Sequence, residues 1–249
     1  MILSAVCCTW KRPHYLGELI ESFLRQDYPA EKRELVILDD AGQYGNIEGD
    51  RWKIISIRTR FTTLGEKRNA CAALVRPDCE GLLVADDDDL YLPHWFTAHA
   101  VALAHGEWSW PARIYLEAAQ KFQVRETRGI FHGAHAFRRS VFLKVFGYRA
   151  MNSGQDQDLF HRLKQMGVSQ YDTTCEIPPY YVYRFRPDIL HLSALGKNGY
   201  EHIAHANIKT DDFKIGWHED YLEKVRLVQH EEESCQGIRC KQETMNTGK

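Results

Sequence analysis

A chain of 249 residues, 44% hydrophobic and 27% charged, has ordinary globular composition and enough length to bury a sizeable core, which excludes wholesale disorder. Its formal net charge of −2 excludes a chain-wide basic footprint for nucleic acid, though not a local basic patch. Seven cysteines, an odd number with no Cys-x-x-Cys pair, argue against a disulfide scaffold and for a reducing compartment.

The run Ile2 to Cys8 is apolar but too short for a signal-peptide core, and Lys11 and Arg12 follow it instead of preceding it. It predicts a buried parallel strand that enters the loop Thr9-Trp10-Lys11-Arg12-Pro13. Leu16, Leu19, Ile20, Phe23 and Leu24 recur at helical spacing. Leu35 to Leu38 reads as a second strand stopping at Asp39-Asp40, and Ile54, Ile55 and Ile57 mark a third. A helix over Asn69 to Val75 leads to a fourth strand, Gly81 to Ala85, which halts at Asp86-Asp87-Asp88-Asp89. Strand and helix in this rhythm imply right-handed βαβ units on a parallel sheet, an α/β fold. Ligands of such sheets gather at the carboxyl ends of strands, and both acidic clusters stand there.

Beyond residue 106 the pattern changes. Trp108 to Leu116, Lys121 to Thr127 and Gly133 to Phe137 read as antiparallel strands, and Ser140 to Phe146 and Asp156 to Met166 as helices. Tyr171 to Glu176 and Tyr180 to Phe185 read as edge strands, followed from Tyr200 by two polar helices and, over 231–249, a frayed tail. The expected division is a nucleotide-binding half over 1–105, the acceptor side of the same domain over 106–195, and C-terminal helices with a tail over 196–249. No run approaches the ~18 apolar residues of a transmembrane helix, so the expectation is a soluble, cytoplasmic protein.

Four adjacent carboxylates repel one another, and a hard divalent ion with diphosphate co-ligands would relieve them. An acidic helix start, favoured by the helix dipole, is the plainer alternative. Asp39-Asp40 fits turn chemistry equally well. Asp156 and Asp158 at a helix start fit capping and dipole contact. Arg68, with Arg58 and Arg60 upstream, suits a phosphate neighbourhood, and His191 taken alone is an ordinary structural histidine. Arg184 and Arg186 among Tyr180, Tyr181 and Tyr183 could line a basic, aromatic surface for single-stranded nucleic acid, although strand packing is the commoner use. Cys235 and Cys240 are the only cysteines near metal-ligand spacing.

Together these residues resemble the inverting glycosyltransferase family 2, built on the GT-A fold, over residues 2 to 166. Thr9-Trp10-Lys11-Arg12-Pro13 is similar to that family's Thr-x-Asn-Arg-Pro loop, with Lys11 for asparagine. Asp39-Asp40 resembles its Asp-Asp pair, whose second member contacts the nucleobase. Arg68-Asn69 resembles its Ala-Arg-Asn helix start, with Lys67 for alanine. Asp86-x-Asp88-Asp89 is similar to its DxD-type metal motif. Asp156 to Leu163 resembles the segment Glu-Asp-x-Asp-Leu-x-x-Arg-Leu that carries the catalytic base, with Gln155 for glutamate.

The resemblance implies a Rossmann-like, mostly parallel central sheet with helices on both faces, a smaller antiparallel acceptor-side part and C-terminal helices. It also implies transfer of a sugar, with inversion, from a nucleotide-diphosphate donor to a hydroxyl acceptor: a glycan, a protein or a hydroxylated nucleic-acid base. Thr9, Arg12 and Asp40 would hold the nucleoside, with uridine favoured by an N–H given to Asp40. Arg68, Asp86 and Asp87 would complete the donor site. Asp88, with Asp86 and His191, would hold Mn²⁺ or Mg²⁺, and Asp156 would be the general base. Two other classes compete. A nucleotidyltransferase of related fold would carry a glycine-rich loop after the first strand, and Thr9 to Pro13 has no glycine. A non-catalytic nucleotide-sugar binder would have no use for both Asp88 and Asp156.

Overall fold

The computed structural model describes residues 1–118, 121–174, 176–185 and 214–232. In chain order these comprise β1 (Leu3–Thr9), α1 (Pro13–Leu24), β2 (Arg33–Asp39), β3 (Ile47–Glu48), β4 (Trp52–Ser56), α2 (Leu64–Ala73), β5 (Gly81–Ala85), β6 (Leu90–Tyr91) and α3 (Trp95–His105). They continue with β7 (Trp108–Ser109), β8 (Arg113–Ala118), β9 (Lys121–Glu126), β10 (Ala136–Arg138), α4 (Arg139–Lys144), α5 (Gln155–Gln165), β11 (Gln170–Tyr171) and β12 (Tyr181–Phe185). Residues 221–232 form a further helix, α6.

The larger sheet has the order β11-β7-β10-β5-β1-β2-β4-β3. Its centre is parallel, β5, β1, β2 and β4 pairing in one direction, while β10 runs antiparallel between β5 and β7. Side chains alternate across it as the two-residue period requires. Leu3, Ala5, Cys7, Leu35, Ile37 and Leu83 face α1 and α3, where Leu16, Leu19, Ile20, Phe23, Trp95 and Phe96 complete one core. Val36, Leu38, Leu82 and Val84 face the other way, against Cys71 and Ala72 of α2, Val141 and Phe142 of α4, and Leu159 and Leu163 of α5. Helices therefore cover both faces. Pro13 opens α1 where its missing N–H costs nothing, and Thr63 with Glu66 forms a reciprocal capping box on α2.

The smaller sheet has the order β6-β12-β8-β9. It is mixed and not antiparallel throughout, because β12 runs parallel to β8 and antiparallel to β6. Tyr221 and Val225 of α6 pack on Leu90, Leu92, Tyr115 and Val182.

Several sequence expectations are corrected. Trp108 to Leu116 is two strands, broken at Trp110-Pro111. The extended segment from Tyr171 ends at once, since the Asp172 carboxylate accepts the Thr174 N–H and turns the chain. β12 is an interior strand and not an edge. Tyr180, Tyr181 and Arg184 are at most 2% exposed, so they form no outward nucleic-acid surface. The four aspartates open no helix: α3 begins only at Trp95 and its pattern passed unrecognised. Arg186, His191, Cys235, Cys240 and the first of the two C-terminal helices expected lie outside the described residues. Among the described residues no helix is long and apolar enough to cross a membrane.

One buried ion pair ties the sheets together. Arg184 of β12 donates through Nη1 to Glu18 of α1 and through Nε to the Asp88 carbonyl at 2.7 Å. Glu18→Ala should therefore destabilise the protein by about 3–5 kcal/mol, because it strands a buried guanidinium. Urea unfolding checks this, with Glu18→Gln expected to cost less.

Candidate active site

β5 is wholly buried and delivers Asp86 to Asp89 into the turn between the two sheets. Each carboxylate meets a different partner. Thr9 Oγ1 donates to Asp87 at 2.6 Å, and Arg12 Nη1 bridges Asp87 and Asp88 at 2.8 Å each. Arg68 Nη2 stands 3.5 Å from Asp86. Asp89 accepts from the Tyr181 hydroxyl and, at 3.0 Å, from the Arg184 backbone N–H. The repulsion that suggested a cation is thus met largely by the chain's own groups.

Burial and mutual repulsion still shift the acidities of this run. Burial pushes the Asp86 carboxyl up to about 6; Arg68 opposes it, while Asp88 and Asp87 reinforce it. Burial also raises Asp87, and raises Asp89 strongly. For Arg12 burial acts downward, but Asp87 and Asp88 outweigh it and raise the guanidinium. The loop that carries Arg12 bends at Lys11, whose φ of 55° is left-handed. Asparagine tolerates that conformation better than lysine.

Asp40, at the end of β2, is enclosed. Its Oδ1 takes Lys67 Nζ at 2.5 Å and Arg60 Nη1 at 2.6 Å, and its Oδ2 takes the Phe61 N–H at 3.1 Å. Lys67 also donates to the Thr9 carbonyl at 2.6 Å, so it fastens the first loop to Asp40. Asp39, by contrast, does turn chemistry, accepting the N–H groups of Ala41 and Gln43 at 2.9 Å.

Asp156 is the second residue of α5, not its cap; Gly154, at φ 74°, holds the cap position. Asp156 Oδ1 accepts the adjacent Gln157 N–H at 2.9 Å. Asp158 is committed elsewhere, to Arg162 at 2.7 Å and Arg149 at 3.3 Å. Asp86 and Asp156 both act on the Arg68 guanidinium electrostatically and raise it against the downward pull of burial. Its guanidinium lies over Tyr148, 5.4 Å from the ring centre, and Tyr148 shares a 2.7 Å hydrogen bond with His132. Burial pushes the His132 imidazole well below its ordinary value, so a neutral ring backs this layer. Nη1 of Arg68 is buried with no hydrogen-bond partner among the described residues, an orphaned donor suited to an anionic oxygen.

Thr9, Arg12, Arg68, Asp86, Asp87 and Asp88 thus converge, with Asp40 linked to them through Lys67 and Asp156 through the field at Arg68. Sequence reasoning missed Tyr181 and Arg184 as the partners of Asp89, Lys67 as the partner of Asp40, and the stack of Tyr148 on His132. The available signal was the need of a buried acid for a donor. A cavity of about 310 Å³ lined by Arg33, Glu34, Arg51 and Lys53 lies at the opposite, amino-terminal ends of β2 and β4 and contains none of these residues.

Asp86 and Asp88 present hard carboxylate oxygens of the type Mg²⁺ and Mn²⁺ accept. The raised pKa of Asp86 reflects burial and neighbouring negative charge that a cation would relieve. No third His, Cys, Asp or Glu joins them among the described residues. The donor set fits a cation that takes its remaining ligands from a bound diphosphate or water.

The model of the family described as glycosyl transferase family 2 matches residues 4–146, ending before α5 and Asp156. No curated protein matches the sequence significantly. Among solved structures, S. aureus TarS 1-349 in complex with UDP is similar, at 14% identity over 85% of this chain and 68% of that one, with a TM-score of 0.59. The same protein in complex with UDP-GlcNAc is 17% identical over 92% and 65%, TM-score 0.57. The mannosyltransferase PcManGT from Pyrobaculum calidifontis, in complex with GDP-Man and Mn²⁺, is 16% identical over 74% and 56%, TM-score 0.55. At such identities the likeness is one of fold, and the fold is GT-A.

Two outcomes test the electrostatics. Asp40→Ala leaves the Lys67 ammonium buried and unpaired, at a cost of about 3–5 kcal/mol, and adding Lys67→Met should recover most of it; urea unfolding of the three variants checks the coupling. Raising the folded-state pKa of Asp86 favours its neutral form, so its ionisation weakens the fold as pH climbs through about 6. Asp86→Asn should therefore gain more in Tm over the wild type at pH 8 than at pH 5, in melts without metal.

Proposed function

The chain belongs to glycosyl transferase family 2, and from that premise we propose that it moves a sugar from a UDP-linked donor to a hydroxyl acceptor with inversion, assisted by a divalent metal. The observation that carries this reading is the convergence of Thr9, Arg12, Arg68 and the acidic turn at the carboxyl ends of β1 and β5, where parallel sheets bind ligands. The donor class is supported by the UDP, UDP-GlcNAc and GDP-Man held by proteins of the same fold.

Asp40 accepts an N–H from the base, and Thr9 and Arg12 border the nucleoside. Arg68 gives its orphaned N–H to a diphosphate oxygen and stabilises the charge that grows as the bond from the anomeric carbon to that diphosphate breaks. Mn²⁺ or Mg²⁺ held by Asp86 and Asp88 would supply Lewis-acid charge at the same leaving group. Asp156 takes the acceptor hydroxyl proton while its oxygen attacks the anomeric carbon from the opposite face. Inversion follows from that single displacement.

A panel of nucleotide sugars incubated with Mn²⁺, with nucleotide release and the anomeric configuration of the product measured, tests the reading. Release from none of them, full turnover in excess EDTA, or retention of configuration would each overturn the corresponding part. Asp156→Asn should lower turnover at saturating donor by roughly 10²–10⁴-fold with little change in Tm, since among the described residues its side chain accepts the adjacent Gln157 N–H, which an asparagine oxygen can also accept. Rates within a few-fold of wild type would remove Asp156 as the base.

A further inference from the structure

Of the three groups that hold Asp40, Arg60 alone stands in solvent: its side chain is 48% exposed, against 4% for Lys67. Its guanidinium does two things at once. It donates to Asp40 Oδ1 at 2.6 Å and lies over the Trp10 ring, 4.4 Å from the centroid. A planar group that covers an aromatic face while giving an N–H to a carboxylate has the recognition chemistry of a nucleobase imide. We propose that Arg60 occupies the nucleobase seat of the free protein and competes with the donor for it. This deepens the donor-site reading above and rests on it.

The geometry makes the exchange workable. Lys67 and the Phe61 N–H hold the Asp40 carboxylate in place, so the acceptor stays oriented when Arg60 leaves. The half-exposed Arg60 side chain can rotate into solvent while the Phe61 N–H stays on Asp40. The incoming base returns to Asp40 the hydrogen bond that Arg60 gives up and takes over the Trp10 face. Arg60 thereby covers both recognition groups in the free protein, and nucleotide occupancy becomes coupled to the orientation of its side chain.

Calorimetric titration of the full-length protein with uridine and with UDP tests the proposal. Uridine carries no phosphate, so loss of a cation cannot mask the result through the diphosphate. Arg60→Ala should bind uridine about two- to fivefold tighter than wild type, the range expected for removing a half-exposed ion pair, and UDP should tighten in the same direction. Weaker uridine binding would make Arg60 a clamp on the base, and unchanged binding would put it outside the seat; either overturns the proposal. Asp40→Asn in the Arg60→Ala background separates the two readings, because no competitor remains there. Lost uridine affinity in that double variant keeps Asp40 at the base whatever Arg60 does, whereas unchanged affinity removes the nucleoside from Asp40 and defeats both. Should that variant fail to fold by circular dichroism, Trp10→Ala in the same background makes the separation.

Discussion

A run of four carboxylates at the end of a buried strand cannot stay ionised in a low-dielectric turn unless each charge finds a donor of its own. Here the donors come from three separate elements. The loop after β1 serves Asp87 and Asp88, α2 serves Asp86, and β12 serves Asp89. That demand decides where the elements meet. The two sheets are joined at the acid turn because Arg184 and Tyr181 of the smaller sheet reach the last two aspartates, and Glu18 of α1 then neutralises Arg184 from behind.

The same principle governs Asp40. A lysine in place of the alanine that the resembled motif carries would be a liability at 4% exposure unless it had a carboxylate to meet. Lys67 meets Asp40 and simultaneously grips the Thr9 carbonyl, so a departure from the motif becomes the clamp between the ends of β1 and β2. Gly133 makes room in a comparable way: a Cβ there would come within 2.6 Å of an Asp86 oxygen. Tyr91 holds the arrangement, accepting the Asp86 N–H and donating to the Gly133 carbonyl.

The central strands of the first 85 residues were legible in the sequence because they are short apolar runs that stop at charged turns, and α1 because its apolar residues recur at near-four spacing; the two-residue β3 left no such signal. α3 was not, since Trp95, Phe96, Ala98, His99 and Leu103 are all buried and a helix apolar around most of its girth shows no amphipathic stripe. β12 was mistaken for an edge because its tyrosines and arginine look polar on paper, while in the fold they are spent on Asp89 and Glu18. The candidate acids were legible as residues of strand ends and a helix start. The partners of Asp87, Asp88 and Asp89 were not, because pairing across 75 to 95 positions of chain leaves no local trace.

That long reach has a temporal side. Asp89 and Glu18 are answered by residues 92 and 166 positions further along, so the contact order of the acid turn is high although the strand that presents it is local. Chains emerge from the ribosome amino end first, and non-local closure is slow. A nascent fragment ending before Tyr181 carries β1 to β11 yet holds Asp89 without its counterpart. Maturation of the first half of this protein therefore waits on the arrival of β12.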